Sequence, residues 1–117
     1  MSPYPHTDVQ SPLAEALEPS VRVCEATLDQ YRDQAESQTG ASFFAAIVLA
    51  LAGMERAVAS SDGDLTRDAS LLIAASLCTE AASSVRRHGL DEGLLRCADA
   101  CERAAHICQS AVGNAQS

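Results

Sequence analysis

The residues best suited to chemistry lie in the segment CADACERAAHIC, residues 97–108, which contains three of the five cysteines in the chain. Cys97, Cys101 and Cys108 follow one another at spacings of four and seven residues, with no turn former between them. Thiolate sulfur is a soft ligand for Cu(I) and zinc, and it is also a nucleophile. The segment is therefore a metal site, a disulfide framework, or three small apolar residues that carry sulfur.

Helical periodicity places the three cysteines on one face of a helix. At about 100° per residue, Cys101 and Cys108 fall within about 40° of Cys97, and Ala104 lies on the same side. His106, which looks like a ligand when the string is read linearly, falls on the opposite side. The cysteines are therefore predicted to line the buried seam of a helix, without histidine.

Turn and cap signals divide the chain into four helices. A short helical piece is expected over residues 12–17, because Pro19 should interrupt a helix that begins at Pro12. A main first helix then runs over residues 20–38 and ends at Thr39-Gly40.

The boundaries of the later helices follow from N-caps and glycines. Ser61-Asp62-Gly63 is read as a turn. The second helix is predicted from Ala41 to Ser60, the third from a cap at Asp64 to His88 and Gly89, and the fourth from a cap at Asp91 to about Ala115.

Every predicted helix carries one apolar seam. The inward residues are Val21, Cys24, Leu28, Tyr31 and Ala35 in the first helix, Phe43, Ile47, Ala50, Met54 and Ala57 in the second, Leu71, Ala74, Cys78, Ala81 and Val85 in the third, and Leu90, Leu94, the three cysteines and Val112 in the fourth. Four helices with short connections predict an all-α, antiparallel, up-and-down four-helix bundle. Residues 1–11 are read as a flexible tail, and residues 12–117 as one domain.

Composition limits the partners and the compartment. The net charge is −8 and no basic run exceeds Arg86-Arg87, which argues against nucleic acid and membrane surfaces as partners. The apolar run over residues 43–54 is shorter than the roughly 20 residues of a membrane span, and we interpret it as a buried helix. With no signal-peptide pattern at residues 1–12, the chain is expected in the cytoplasm, where five reduced cysteines point away from disulfides.

The segment from Ser70 to Ser110 resembles the cysteine-rich, four-helix-bundle copper-binding family that includes the bacterial copper storage proteins, which are often labelled ferredoxin. Members carry Cys-x-x-x-Cys-x-x-Cys-x-x-x-Cys on successive helices. The fourth helix has this frame with Ala104 in place of one cysteine, and the third helix keeps only Cys78. The resemblance implies a divergent member that has lost most core cysteines and binds Cu(I) inside the bundle.

The predicted function is Cu(I) binding by thiolates, in a carrier for copper or an accessory to a copper enzyme. The expected ligands, in order of preference, are Cys97, Cys101, Cys108, Cys78, Cys24 and, as a weak auxiliary, Met54. Zinc is the second choice of metal, because neither four convergent ligands nor a Cys-x-x-Cys pair is evident. Plain core packing of the cysteines remains the alternative, since free cysteine is among the most buried residue types.

Two other classes of function stay open. One is a metal-free accessory or interaction protein, and the other is a small enzyme that uses the apolar interior as a substrate pocket. Catalysis by cysteine is disfavoured, because an inward thiol without a neighbouring base is a poor nucleophile. Adjacent Phe43 and Phe44 cannot both be fully buried in one seam, so self-association to a homo-oligomer is also predicted.

Overall fold

The computed structural model describes residues 12–33, 38–60, 66–89 and 91–113. They form four helices, α1 (Pro12–Gln30), α2 (Gln38–Ala59), α3 (Arg67–His88) and α4 (Glu92–Ala111). This confirms the predicted all-α four-helix bundle. The predicted tail at residues 1–11 and the turn at residues 61–63 lie outside the described residues.

Contacts near the helix ends show that sequential neighbours run antiparallel. At the end of α1, the Tyr31 ring makes an edge contact with Phe43 near the start of α2, at a centroid distance of 5.7 Å. Phe43 also lies 4.3 Å from the ring of His88 at the end of α3. At the other end of the α2–α3 pair, Ser60 Oγ donates to Ser70 Oγ at 3.3 Å.

The α1–α4 pair closes the bundle. Tyr31 donates a 2.6 Å hydrogen bond to Asp91, whose other carboxylate oxygen accepts from the backbone N–H of Leu94 at 2.9 Å. The hydrogen bond from Tyr31 contributes most to lowering the pKa of the Asp91 carboxyl group. The predicted N-cap of α4 is thus confirmed, and its side chain also joins the end of α1 to the start of α4.

Several predicted helix boundaries are wrong. Pro19 lies inside α1 and does not interrupt it. A proline removes one backbone hydrogen bond, but Pro19 and Glu15 are both exposed, so water is available to the Glu15 carbonyl that loses its partner. Thr39 and Gly40 belong to α2, because that helix starts at Gln38 and not at Ala41.

The predicted start of α3 and the predicted end of α4 are also corrected. Asp64 lies outside the described residues, and the N-cap of α3 is Thr66, which makes no side-chain cap hydrogen bond. The helix α4 ends at Ala111 instead of about Ala115, where Val112 is extended and Gly113 has a φ of 80°. The predicted end of α3 at His88, with Gly89 as its C-cap, is confirmed.

The predicted seams of α2 and α3 are confirmed, since all ten of their residues are at most 1% exposed. The seam of α1 is shifted. Its members Cys24 and Tyr31 are buried as predicted, and Ala35 lies outside the described residues. Val21 and Leu28 are only partly buried, whereas Ser20 and Thr27 lie in the core at 2% and 5% exposure. Sequence periodicity missed them because apolar residues were used to find the inward face.

Two features make α2 unusual among the four helices. It approaches α3 closely at Gly53, where an added Cβ would lie 3.2 Å from the Cα of Ala74. It also has the length and composition of a membrane span over Ser42–Ala59, with a mean hydropathy of 1.6, although a third of that window (33%) is buried in the bundle. One such helix is weak support for a span, since core helices have the same profile.

Candidate metal centre

Three thiols from two helices converge in the core of the bundle. Cys24 comes from α1, and Cys97 and Cys101 come from successive turns of α4. Their sulfur atoms all lie within 4.8 Å of one another, and those of Cys24 and Cys101 are 3.6 Å apart. We call these three residues the thiol cluster; all three side chains are fully buried.

The spacing of the cluster suits a single metal ion. Two sulfur atoms bound at about 2.3 Å to one ion are separated by about 3.8 Å in tetrahedral and about 4.6 Å in linear geometry. The 3.6 Å separation of the Cys24 and Cys101 sulfur atoms is close to the tetrahedral value, and no pair in the cluster is more than 4.8 Å apart. In the part of the chain that the structure describes, no histidine or carboxylate ligand atom joins the group.

Hydrogen bonds within the cluster direct the first ionisation to Cys97. Hydrogen bonds from Cys101 and Cys24 to the sulfur of Cys97 outweigh burial and lower the pKa of this thiol. A thiolate that accepts several hydrogen bonds is stabilised even in a buried environment. Within the cluster, Cys97 is therefore the thiol that ionises most readily.

The other two thiols of the cluster stay protonated. Hydrogen bonding to Cys24 and Cys97, together with burial, raises the pKa of Cys101. The hydrogen bond with Cys101 lowers the pKa of Cys24, but the bond to Cys97, burial and the charge on Cys97 outweigh it and raise the value overall. A metal ion that binds all three sulfur atoms must displace these two protons.

Thr27 is a residue of the site that sequence reasoning missed. It lies three residues after Cys24 on the buried face of α1, and its hydroxyl donates to the carbonyl of Val23 at 2.8 Å. The same side chain lies beside the thiol of Cys97. The available sequence signal was the spacing from Cys24, which puts both residues on one side of the helix.

The remaining predicted ligands lie in the core but outside the thiol cluster. Cys78 and Cys108 are free and fully buried. Burial is the main reason that the pKa of Cys78 rises to about 12 and that of Cys108 to about 11. Each is close enough to a neighbouring thiol to interact electrostatically, Cys78 with both Cys24 and Cys108. Met54 is also buried, at 1% exposure.

The structure thus changes the ranking of the ligands. Cys97 and Cys101 are neighbours as predicted, but their third partner is Cys24 and not Cys108. His106 is exposed, as the helical phase predicted. Glu102, on the same turn of α4 as His106, accepts a hydrogen bond from Arg86 of α3.

Grooves on the surface lie beside the cluster. Two cavities of about 240 and 180 Å³ follow the seam between α1 and α4, and they share Val23 and Arg96 in their linings. Thr27, which contacts Cys97, lines the larger of the two. A third cavity, of about 300 Å³, lies between α1 and α2.

Comparison with known proteins gives this site no assignment. No family model, curated protein or solved structure matches the chain. The similarity to the copper storage proteins therefore stays a prediction from the cysteine frame of α3 and α4.

Proposed function

We propose that the protein binds one Cu(I) ion at the thiol cluster, in the role of a copper carrier or an accessory to a copper enzyme. The observation that carries the proposal is the convergence of Cys24, Cys97 and Cys101 within 4.8 Å in a fully buried environment. Soft thiolates select Cu(I), and burial of the ion slows exchange with water and other ligands.

The number and type of ligands favour Cu(I) over zinc. Structural zinc sites almost always have four protein ligands, and catalytic zinc sites add a water molecule to three. The cluster offers three sulfur atoms in a dry core. This arrangement suits an ion that accepts two or three soft ligands. Cys78, Cys108 and Met54 are auxiliary positions, through which further copper ions are able to bind at higher loading.

The test is an anaerobic titration of the fully reduced protein with Cu(I), in competition with a chromophoric chelator of known affinity. We expect one tightly bound ion per chain. Loss of an outer-shell partner costs metal sites about 10–100-fold in affinity, and loss of a ligand should cost more. Cys24→Ala and Cys101→Ala are therefore each expected to weaken binding by more than about 100-fold.

Cys108→Ala is the matched control, because it removes an equally buried thiol from α4 outside the cluster. It should retain the tight site. Circular dichroism will verify that each variant is helical. The proposal fails if the wild type binds copper no more tightly than an unfolded peptide with the same cysteines. It also fails if Cys108→Ala weakens the first site as much as Cys101→Ala.

A second role, as an interaction protein that forms homo-oligomers, is favoured by the outer surface of α2 and α3. Val48 of α2 is 43% exposed, and Leu49, Leu72 and Ile73 are each 53% exposed. Exposed apolar area of this kind often marks protein contacts. Two copies with a net charge of −8 each repel one another least where their surfaces are uncharged. We therefore propose that a second copy of the chain covers this apolar surface.

Sedimentation velocity tests this role. The wild type is expected to form a dimer, and Leu49→Glu combined with Ile73→Glu should yield a monomer. The control places two charges elsewhere, by combining Gln109→Glu and Ser83→Glu at exposed positions on α4 and α3. A monomeric wild type, or equal dissociation in the control, would refute self-association through this surface.

A further inference from the structure

Copper must reach the thiol cluster through the packed helices. The three cysteines have no exposed surface, so an ion cannot bind without passing a side chain that covers them. Thr27 is such a side chain, since it contacts Cys97 on one side and lines the larger cavity between α1 and α4 on the other. We call the two cavities of this seam the α1–α4 groove, and Thr27 is the side chain that lies between the larger of them and Cys97.

The α1–α4 groove is lined by arginines in an acidic protein. The chain has 16 acidic and 8 basic groups, and three of the arginines line the groove, Arg22, Arg96 and Arg103. Its lining contains one carboxylate, that of Asp99, which is paired with Arg86 of α3. The groove thus presents three guanidinium groups to a ligand.

The arginines keep hydrogen-bonding capacity for a ligand. Arg22 pairs with Glu18 at 2.8 Å and Arg96 with Glu92 at 3.3 Å, each within its own helix and exposed to solvent. Exposed pairs of this kind contribute little free energy, and a guanidinium group has five N–H donors. A second carboxylate can therefore bind to either arginine without loss of a strong interaction.

We propose that the α1–α4 groove binds an anionic, low-molecular-weight thiol complex of Cu(I) and transfers its copper to the thiol cluster. This inference rests on the proposed function and adds the chemical form in which the metal arrives. The carboxylates of the donor bind Arg22 and Arg96, and the floor formed by Val23, Ala26 and Thr27 takes its apolar part. The bound copper then lies above Cys97.

The transfer is a ligand exchange without change of oxidation state. One thiol of the cluster forms a sulfur–copper bond and loses its proton, while one donor thiolate leaves the ion and takes up that proton. A second exchange of the same kind releases the other donor thiol. Each donor thiol leaves protonated, and the copper remains Cu(I).

Stopped-flow measurement of copper transfer tests the proposal with two defined donors. One is the anionic Cu(I)–glutathione complex, and the other is Cu(I) with neutral 2-mercaptoethanol. Electrostatic steering raises association rates by about 10–10³-fold and weakens with ionic strength. In the double variant Arg22→Gln/Arg96→Gln, transfer from Cu(I)–glutathione is expected to slow by about tenfold, and transfer from the neutral donor to change less than about twofold.

The control variant Arg32→Gln/Arg56→Gln removes the same charge from exposed positions outside the groove. It should retain the wild-type rate with both donors. Equal slowing in both double variants, or equal slowing with both donors, would overturn the proposal. The equilibrium affinity for Cu(I) distinguishes failure of the donor site from failure of the proposed function. If the wild type binds Cu(I) tightly but Arg22→Gln/Arg96→Gln does not slow the transfer from Cu(I)–glutathione, only the donor site is refuted. If the wild type does not bind Cu(I) tightly, the proposed function is refuted as well.

Discussion

At the scale of single residues, the central property of the site is the unequal ionisation of three neighbouring thiols. Hydrogen bonds from its neighbours lower the pKa of Cys97, whereas burial and the same hydrogen bonds raise the pKa values of Cys24 and Cys101. Cys97 is therefore the thiol that ionises first. A metal ion that binds all three sulfur atoms must displace the protons of the other two.

Cys101→Ala is the sharpest test of this order of ionisation. Alanine lacks the thiol whose hydrogen bond contributes most to lowering the pKa of Cys97. A hydrogen bond to a charged group contributes about 1.5–3 kcal/mol, equivalent to about 1 to 2 in pKa. The ultraviolet absorbance of the first thiolate should therefore appear at correspondingly higher pH in the metal-free variant.

Cys108→Ala provides the control, because it removes an equally buried thiol of α4 that lies outside the cluster. Its first thiolate titration should match that of the wild type. If Cys101→Ala also leaves that titration unchanged, the hydrogen bond from Cys101 does not stabilise a charge on Cys97.

The residue scale also shows what the sequence was able to predict of the site. Periodicity alone put Cys97 and Cys101 on the buried face of α4, and their closeness follows from one turn of helix. The partnership with Cys24 depends on the register between α1 and α4, which no local pattern encodes. Thr27 was missed because a polar residue was not expected on a seam identified by its apolar members.

At the scale of helices, Gly53 sets how closely α2 and α3 pack. An added Cβ would lie 2.9 Å from Leu77 Cδ1 and 3.2 Å from Ala74 Cα. The first atom can rotate away, but the second belongs to the backbone of α3. The close approach of α2 to α3 thus depends on this glycine.

Gly53→Ala is expected to destabilise the protein by about 1 kcal/mol in urea unfolding. Overpacking costs about 1–3 kcal/mol, and the better helix propensity of alanine offsets about 1 kcal/mol of it. Gly93→Ala is the control, since its new Cβ would meet nothing closer than Gln30 Oε1 at 3.4 Å. A stabilised Gly53→Ala variant would show that α3 yields easily at this contact.

Helix boundaries were the least predictable part of the fold. The sequence contained strong signals at Asp91 and Gly89, and both helix ends were placed correctly. The predicted interruption at Pro19 was wrong because this proline lies on the exposed side of the helix. The carbonyl of Glu15, which loses its hydrogen-bond partner, is therefore accessible to water. The predicted helix end at Gly40 was wrong for a different reason. A glycine within a helix costs only about 1 kcal/mol, and the packing of the apolar residues that follow outweighs this cost.

At the scale of the whole molecule, the buried thiols make the bundle less stable as the pH becomes alkaline. The pKa values of Cys78 and Cys108 rise from 9.0 to about 12 and about 11. A raised pKa means that the unfolded chain loses its proton first as the pH increases. The stabilising contribution of each neutral thiol is therefore complete below pH 9 and is lost as the pH rises through the folded-state value.

Urea unfolding of the reduced, metal-free protein at pH 8 and pH 10.5 should show this loss. For each such thiol, the free energy of unfolding is expected to fall by about 2 kcal/mol between these two pH values, at about 1.4 kcal/mol per pH unit above 9. Cys78→Ala should remove one such contribution from the pH dependence. Ser84→Ala, at a buried position on the same helix that does not titrate, should leave the dependence unchanged. If the wild type and Cys78→Ala show the same pH dependence of the free energy of unfolding, the raised pKa of Cys78 is contradicted.

The central claim, that Cys24, Cys97 and Cys101 form one metal centre, is tested most directly by X-ray absorption at the copper K edge. The sample is the anaerobic protein loaded with one equivalent of Cu(I). The account predicts a Cu(I) edge and a first shell of sulfur atoms alone, three of them at about 2.3 Å. A first shell that contains nitrogen or oxygen, or a three-sulfur shell that persists unchanged in Cys24→Ala, would contradict it.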